Sequence, residues 1–561
     1  MSFEKIKLIR PRRSVFRENN TVRTTIRIGQ VIPSMWREMV PGDTFYSGQV
    51  AQVELMPLVA PTKGDLYLES CLFFVAYDTL AIGDESKFTD ILATITDVSQ
   101  AVPIPKWSLD KTDLDSDSKM KDTHLETLWD KFGFPLNLPA TLDDEVKPIA
   151  YLQRAYNLCY NEYVRDENLD TEVSLENNEI LTCCYKKDLF TSAFTSPQKG
   201  DPVYIPLSGT ASTSWSDDIL NTVVGIIKTY ETVKNYGSGG TATHVTYPGA
   251  EVTATTTPNS TSGSISINNG PYSVTGTAET GHGTENLNSK LGVSIDQALL
   301  NLLNNNSVDL THILTFDIEQ LRVANKLQKW LERNQLAGSR TKEYLLANYG
   351  IAPSDETLQR PVFLGRLRTP IMVSSVTSSV ETTNTPQGTK TGNGIGTNAV
   401  KFKSWTCKEP GLLLALSFIR PKAAYSQGIN RQWIKKTIYD YFNPIFANLG
   451  QQEIYNAEIY AQGTSADKQI FGYTERNQEL KTVPDVVSGN LRSGISTGSL
   501  RVWSISRQFN SLPALDSEFI HVNPSDYDYL FSLSDYPHAV VTFHNIVKAI
   551  RPVPKFSQGT L

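Results

Sequence analysis

The sequence predicts a mainly β chain, a jelly roll carrying large insertions. Strand-length apolar segments recur along the whole chain, several with apolar and polar residues alternating. They lie far apart, separated by stretches too long for a simple sandwich. The composition, 40% hydrophobic and 20% charged over 561 residues, is enough for a large core. At about 150 residues per domain the length alone suggests three or four domains, but one β domain swollen by insertions reaches the same size.

In chain order, residues 1–37 form a basic arm. Lys5, Lys7, Arg10, Arg12, Arg13, Arg17, Arg23, Arg27 and Arg37 stand against Glu4 and Glu18 alone. That balance of +7 leaves −14 for the rest of a chain whose net charge is −7. A basic arm on an acidic body suits contact with a polyanion or an acidic neighbouring subunit. Arg10-Pro11-Arg12-Arg13 is poor material for a compact element.

Residues 38–207 are expected to hold the first jelly-roll strands with acidic and helical insertions. The pattern is β from Ile26 to Tyr77, with turns at Pro41-Gly42-Asp43 and Pro61 to Gly64. The stretch Leu72 to Tyr77 is wholly apolar, as in a central strand covered on both faces. Residues 85–150 read as polar and irregular, with Asp110, Asp113, Asp115 and Asp117 in a surface loop. An amphipathic helix is expected over Ile149 to Arg165.

Residues 208–311 read as an inserted surface excursion with its tip at 237–286. Of the 50 tip residues, 27 are Gly, Ser or Thr and none is Lys or Arg. Alternation in Ser264 to Ile267 and Tyr272 to Thr275 predicts a small exposed β-hairpin rather than a plain linker. Helical segments are expected beside the tip, near Asp218 to Tyr230 and Ile295 to Asn304.

Residues 312–561 complete the chain with helices, the remaining strands and a C-terminal tail. Helical spacing marks Asp317 to Arg333 and Arg340 to Asn348, with Gly350 as a C-cap. Strands are expected at Val400 to Trp405, Leu412 to Ile419, Leu500 to Ile505 and Ala539 to Ile550, and helix at Asn430 to Leu449. The tail from His544 to Leu561 has no acidic residue and carries Lys548, Arg551 and Lys555.

Catalytic signals are weak. Gly494-Ile-Ser496-Thr-Gly498 fits the nucleophile-elbow formula but lacks a helix after it. Gly392-Asn-Gly394-Ile-Gly396 has neither phosphate-loop nor dinucleotide spacing and reads as a flexible loop. The seven histidines are scattered, Cys183-Cys184 has no partner pair for zinc, and the alternating aspartates lack a calcium loop's Gly and Glu. No enzyme, cofactor or metal is expected. The N-terminus has no apolar signal core, and no run approaches the roughly 20 residues of a membrane helix. Five cysteines in so long a chain read as buried free thiols of a protein folded in a reducing cytoplasm.

Several runs together resemble the major capsid protein of the microviruses, in the gokushovirus branch of small single-stranded DNA phages. They begin with Ile28 to Pro33, Val40 to Phe45, Leu58 to Pro61 and Phe73-Phe-Val75. Tyr160 to Leu169, Asp188 to Ala193, Ser196 to Gly200, Leu327 to Arg333 and Leu358 to Pro361 follow. Pro386-Gln-Gly388, Phe446 to Gly450, Glu458 to Gly463, Phe471 to Arg476 and Phe543 to Pro554 complete the series in the family's order. The resemblance implies a single eight-stranded antiparallel jelly roll, sixty copies of which close a T=1 icosahedral shell around circular single-stranded DNA. The shell implies two-, three- and fivefold self-contacts, assembly in the host bacterial cytoplasm and residence in the virion. It also implies a small basic DNA-packaging protein, an internal scaffolding protein, a DNA pilot protein and a host surface receptor as partners, with no membrane insertion.

On this reading the arm lies at the inner face. Lys5, Lys7, Arg10, Arg12, Arg13, Arg17, Lys548, Arg551 and Lys555 are the expected contacts to nucleic acid or the inner surface, with Phe16 and Trp36 for base stacking. The variable insertion occupies the place of the family's threefold projection, with Tyr247, Asn268, Asn269 and Tyr272 as candidate receptor contacts. Loop aromatics Trp36, Trp107, Trp129, Tyr439, Tyr441 and Phe442 would cover the subunit's own core or its neighbours. Two other readings compete: a carbohydrate-binding β-sandwich of a cell surface, opposed by the missing signal, and a hydrolase using Ser496, opposed by the missing His/Asp pair.

Overall fold

The computed structural model describes residues 12–83, 85–88, 104–107, 126–136, 147–201, 203, 210–212, 243–247, 250–255, 262–269, 272–279, 307–309, 318–381, 386–447, 450–492, 495 and 498–556. The chain divides into two compact units, Met1–Asp201 with Lys329–Leu561, and Pro202–Gln328. In chain order the strands are β1 (Ser14–Arg17), β2 (Asn20–Ile26), β3 (Val31–Met39), β4 (Thr44–Leu55), β5 (Leu66–Ala76), β6 (Thr210–Ser212), β7 (Thr243–Tyr247), β8 (Ala250–Thr255) and β9 (Ser262–Asn269). The rest are β10 (Tyr272–Glu279), β11 (Ser307–Asp309), β12 (Val362–Thr377), β13 (Lys390–Lys401), β14 (Trp405–Thr406), β15 (Gly411–Pro421), β16 (Gln452–Tyr455), β17 (Ile470–Thr474) and β18 (Ala539–Arg551). The main helices are α1 (Tyr151–Tyr163), α2 (Ile318–Ala337) and α3 (Thr341–Tyr349).

In the first unit eight strands pair antiparallel from the outside of the sequence inward. β2 pairs with β18, β3 with β15, β4 with β13 and β5 with β12. That nested pairing is a jelly roll. It forms two four-stranded sheets, β2-β18-β4-β13 and β3-β15-β5-β12, with β1 alongside β18 and β14 alongside β4. The sheets join through β12, whose first part, Val362 to Ile371, pairs with β5 and whose remainder pairs with β13. Most of the remaining length of this unit lies in two connections, within residues 77–361 after β5 and 422–538 after β15.

Side-chain alternation explains the pairing. Along β18 Ala539, Val541, Phe543, Val547 and Ala549 are buried, while Val540, Ile546 and Lys548 face solvent. β15 is buried at nine consecutive positions, because α1 packs against it and covers its second face. The Tyr156 hydroxyl donates to the Val31 carbonyl at 2.8 Å, tying that helix to β3. A polar bridge crosses the interior: Ser417 Oγ donates to Ser34 Oγ at 2.7 Å, and Asn545, bonded to Gln49 at 2.9 Å, donates to the Ser34 carbonyl at 3.0 Å. Hydrogen-bonded polar groups at the centre of an apolar sandwich favour one register over its slipped alternatives.

Several expectations need correction. The N-terminal stretch is no free arm from Ser14 onward, because β1 and β2 pair along β18. Gly392, Gly394 and Gly396 lie inside β13 rather than in a flexible loop. Their spacing of two puts all three on one face. There a Cβ would meet the Ala60 carbonyl oxygen at 2.6 Å, Leu55 Cδ1 at 2.4 Å and the Pro370 carbonyl oxygen at 2.7 Å. Of the helix expected at Asn430 to Leu449, residues 430–447 form separate 3-10 turns instead, and the Leu500 to Ile505 strand is replaced by a 3-10 turn at Arg501–Trp503. The helices expected at Ile149 to Arg165, Asp317 to Arg333 and Arg340 to Asn348 are present, and Gly350 caps the last with φ of +69°.

Within the second unit β7, β8, β9 and β10 form an antiparallel meander, and β6 pairs with β11. The predicted β character of Ser264 to Ile267 and Tyr272 to Thr275 is met by β9 and β10. The helices expected at 218–230 and 295–304, the acidic cluster at 110–117 and Ser496 lie outside the described residues.

Candidate assembly and nucleic-acid surfaces

The outer face of the β2-β18-β4-β13 sheet carries two of the basic residues expected to meet nucleic acid, Arg17 and Lys548. Arg17 of β1 stands opposite Lys548 of β18, which stands opposite Tyr46 of β4. All three are exposed, and Lys548 Nζ lies 5.8 Å from the Tyr46 ring centre. Lys401 of β13 stands opposite Gly48, two residues along β4 from Tyr46, and is also exposed. Cations and an aromatic ring thus share one sheet face, although Arg17 and Lys548 are separated by most of the sequence. Tyr46 and Lys401 were missed as candidates; the alternation of β4 and β13 was the signal that would have found them.

The other predicted cations divide. Arg12 and Arg13 are exposed just before β1, and Lys555 is exposed beside the Phe556 ring. Lys5, Lys7 and Arg10 lie outside the described residues. Arg551 is engaged within the subunit: its Nε lies 3.0 Å from Glu18 and 3.7 Å from Asp43, and it donates to the Glu38 carbonyl at 2.9 Å. Arg37 approaches the same Glu18 at 4.0 Å, and burial pulls its pKa down despite that carboxylate and with help from neighbouring Arg551. These two arginines tie the end of β18 and Glu18, just after β1, to β3 of the other sheet. Phe16 and Trp36 are half-buried, and Trp36 packs edge-on against Phe132.

The four attachment candidates come together in the meander. Tyr247 ends β7, Asn268 and Asn269 end β9, and Tyr272 begins β10. Tyr272 pairs with Asn269, and Glu251 pairs with both Thr246 and Asn268, so all four positions share one end of this sheet.

The aromatic residues separate by role. Trp107 and Trp129 are buried in a cluster with Phe132 and Phe134, and so belong to the subunit's own core. Tyr439, Tyr441 and Phe442 face solvent with Trp433, Ile438 and Ile445, the last three 78%, 77% and 81% exposed. The segment is held in shape by short polar caps. Asn430 accepts from the Gln432 amide, Asn443 from Ile445, and Asp440 from Lys436 and Thr437 at 2.7 and 2.8 Å. Those backbone donors hold the Asp440 carboxyl below its usual range. An ordered segment presenting so much apolar surface is built for a protein contact.

A jelly roll whose connections offer apolar side chains to solvent, as at Trp433 to Ile445, is an architecture of viral shell subunits. The chain belongs to the phage capsid protein (F protein) family, whose model it matches over residues 5–561. It is 29% identical to capsid protein VP1 of Chlamydia phage 1, over 97% of this chain and 95% of that protein. Capsid protein VP1 of Bdellovibrio phage phiMH2K is 27% identical over 98% and 96%, and that of Spiroplasma virus 4 is 26% identical over 98% and 95%. All three are gokushovirus-type microviruses, as the sequence resemblance implied. The chain is accordingly a structural, non-enzymatic component of a phage virion. Among the described residues no helix is long and apolar enough to cross a membrane.

Proposed function

We propose that this major capsid protein closes a shell of sixty copies with T=1 symmetry around circular single-stranded DNA, with the outer face of the β2-β18-β4-β13 sheet turned toward the genome. The row of Arg17, Lys548 and Tyr46, with Lys401 beside it, carries the proposal. Single-stranded DNA is held by cations that track phosphates and by rings on which bases stack, without a need for sequence readout. Arg12, Arg13 and Lys555 extend the positive surface, and Lys5, Lys7 and Arg10 precede it in the chain. The acidic remainder of the subunit repels phosphate, so a small basic packaging protein supplements these contacts. An internal scaffolding protein and a DNA pilot protein complete the assembly partners.

The segment from Trp433 to Phe446 supplies apolar contact between subunits, at the two-, three- or fivefold axes. The end of the meander bearing Tyr247, Asn268, Asn269 and Tyr272 meets the host surface receptor. The decisive experiment replaces Arg17 and Lys548 with Ala and measures nuclease-protected DNA per particle. Empty or underfilled shells are expected, and binding of single-stranded DNA should lose about 0.7 of its logarithmic salt slope per phosphate contact removed. Filled particles at wild-type yield would overturn the assignment.

A further inference from the structure

The two long connections of the jelly roll meet at a short ribbon. The Cys183 amide donates to the Gly29 carbonyl at 2.7 Å, Val522 to Cys183 at 2.9 Å and Tyr185 to Ile520 at 2.9 Å. This pairing lays Cys184 beside His521, which follows the short helix Ser517–Ile520. Asp170 arrives from the segment after α1, its amide anchored on the Asp166 carbonyl at 2.9 Å. His521 Nε2 lies 2.7 Å from Asp170 Oδ2, and Cys184 Sγ lies 4.0 Å from each of those atoms.

We propose that Asp170, Cys184 and His521 form a zinc-binding site that clasps the two connections together. Thiolate, imidazole and carboxylate are the three side-chain donors zinc takes, and a thiolate disfavours magnesium and calcium. With zinc–ligand bonds of about 2.0–2.3 Å, ligand atoms around a tetrahedral ion lie about 3.2–3.8 Å apart. The present separations bracket that range, so each atom needs to move by less than about 1 Å. The His521 side chain is 17% exposed, which lets a water take the fourth position.

The orientation of the imidazole separates a metal site from a catalytic relay. In a Cys–His–carboxylate relay the nucleophile and the carboxylate occupy opposite ring nitrogens. Here both face Nε2, while Nδ1 lies 3.2 Å from the Thr182 carbonyl oxygen and 3.0 Å from its hydroxyl. A carbonyl only accepts, so Nδ1 keeps its proton, and Nε2, whose proton faces Asp170 without a metal, is the nitrogen a metal would take in place of that proton, the usual support of a metal-bound histidine. Asp170 Oδ1 is buried with no hydrogen-bond partner, leaving a second oxygen able to approach the ion. Binding breaks the Nε2–H and Sγ–H bonds, forms metal–N, metal–S and metal–O bonds, and releases both protons to water without electron transfer. The ligands stand 14 and 337 residues apart, which is why the sequence showed no zinc spacing and no metal was expected.

The test loads the purified full-length chain with Co2+ as a spectroscopic probe for zinc. One equivalent per chain is expected, with a thiolate-to-cobalt charge-transfer band and the intense visible bands of a four-coordinate ion. Zn2+ should displace the probe and Mg2+ should not. Cys184→Ser should abolish the charge-transfer band and His521→Asn should weaken binding more than tenfold, whereas Cys71→Ser, which removes a thiol elsewhere, should keep both. Absence of the band in the wild type, or its survival in Cys184→Ser, overturns the site. Wild-type protein should also melt at a higher temperature with zinc than with a chelator, a readout independent of whether the variants fold; equal melting overturns the clasp.

Discussion

Glu69 of β5 is the anionic hub of one sheet, and its loss should be among the more damaging single changes. Its side chain is 2% exposed and is met by Arg420 of β15 at 3.1 Å and by Arg366 and Arg368 of β12 at 3.5 Å each. Those arginines come from the two strands flanking β5, so one carboxylate ties three strands. Glu69→Gln keeps the volume and removes the charge. Arg366 and Arg368 are 47% and 36% exposed, so water screens them and their pairs contribute at most about 1 kcal/mol each. Arg420 is 17% exposed and would be left as a largely buried charge without its partner, which costs about 3–5 kcal/mol. The Gln amide oxygen still accepts from Arg420 and offsets part of that cost, so a net loss of about 3–4 kcal/mol is expected. Urea unfolding of the unassembled full-length chain, followed by tryptophan fluorescence, should show the midpoint falling by about 1 M for a slope near 3 kcal/mol/M. Glu69→Leu with Arg420→Met should recover most of the loss, since an apolar pair of similar size avoids desolvating either charge. A loss below about 1 kcal/mol for Glu69→Gln would refute this account of the sheet.

Two further outcomes follow from other parts of the structure. His538 is fully buried, accepts from the Ile28 amide at 2.9 Å through Nδ1 and lies 2.7 Å from Asp528 through Nε2; burial lowers its pKa against the opposing pull of that carboxylate. Its folded pKa lies below the unfolded value near 6.5, so this contribution is present above that pH and is lost as pH falls, by up to about 1.4 kcal/mol per unit; melting temperatures of the wild type should drop more steeply below pH 6.5 than those of His538→Gln, and parallel profiles would contradict the assignment. Deleting residues 237–286 should leave particle yield intact while abolishing adsorption to host cells, and particles that still adsorb would remove the meander from the attachment role.

The strands with strong alternation or continuous apolar runs were legible in the sequence because burial dictates their pattern. β15 and β18 were found nearly to the residue, and α2 and α3 appeared through helical spacing. The failures have physical causes. The stretch Asn430 to Leu449 was expected to be helical, yet Trp433, Ile438, Phe442 and Ile445 face solvent rather than one buried stripe, and Asn430, Asp440 and Asn443 draw nearby amides into separate turns. The run Leu500 to Ile505 alternates like a strand, but among the described residues only the isolated bridge from Ser504 to Lys63 pairs there. The glycines of β13 looked like a loop because a strand without side chains is recognisable only by the neighbours that crowd it. The candidate surfaces were partly legible: exposed cations could be named one by one, but Arg17 beside Lys548, or Asp170 beside His521, depends on long-range pairing that local pattern does not encode.

The nested pairing also sets a timetable. β2 and β4 are made near the beginning of translation, yet the strand that joins them, β18, is the last described in the chain. At about 5–20 residues per second, roughly 25–100 s separate the synthesis of β4 from that of β18. Throughout that interval the backbone edges of β2 and β4 lack their partner, and the row of Arg17, Lys548 and Tyr46 does not exist. A nascent chain at that stage has neither the completed sheet nor that row. Closure of this sheet thus waits for β18, the last described strand, so the fold is finished at its end rather than grown from its beginning.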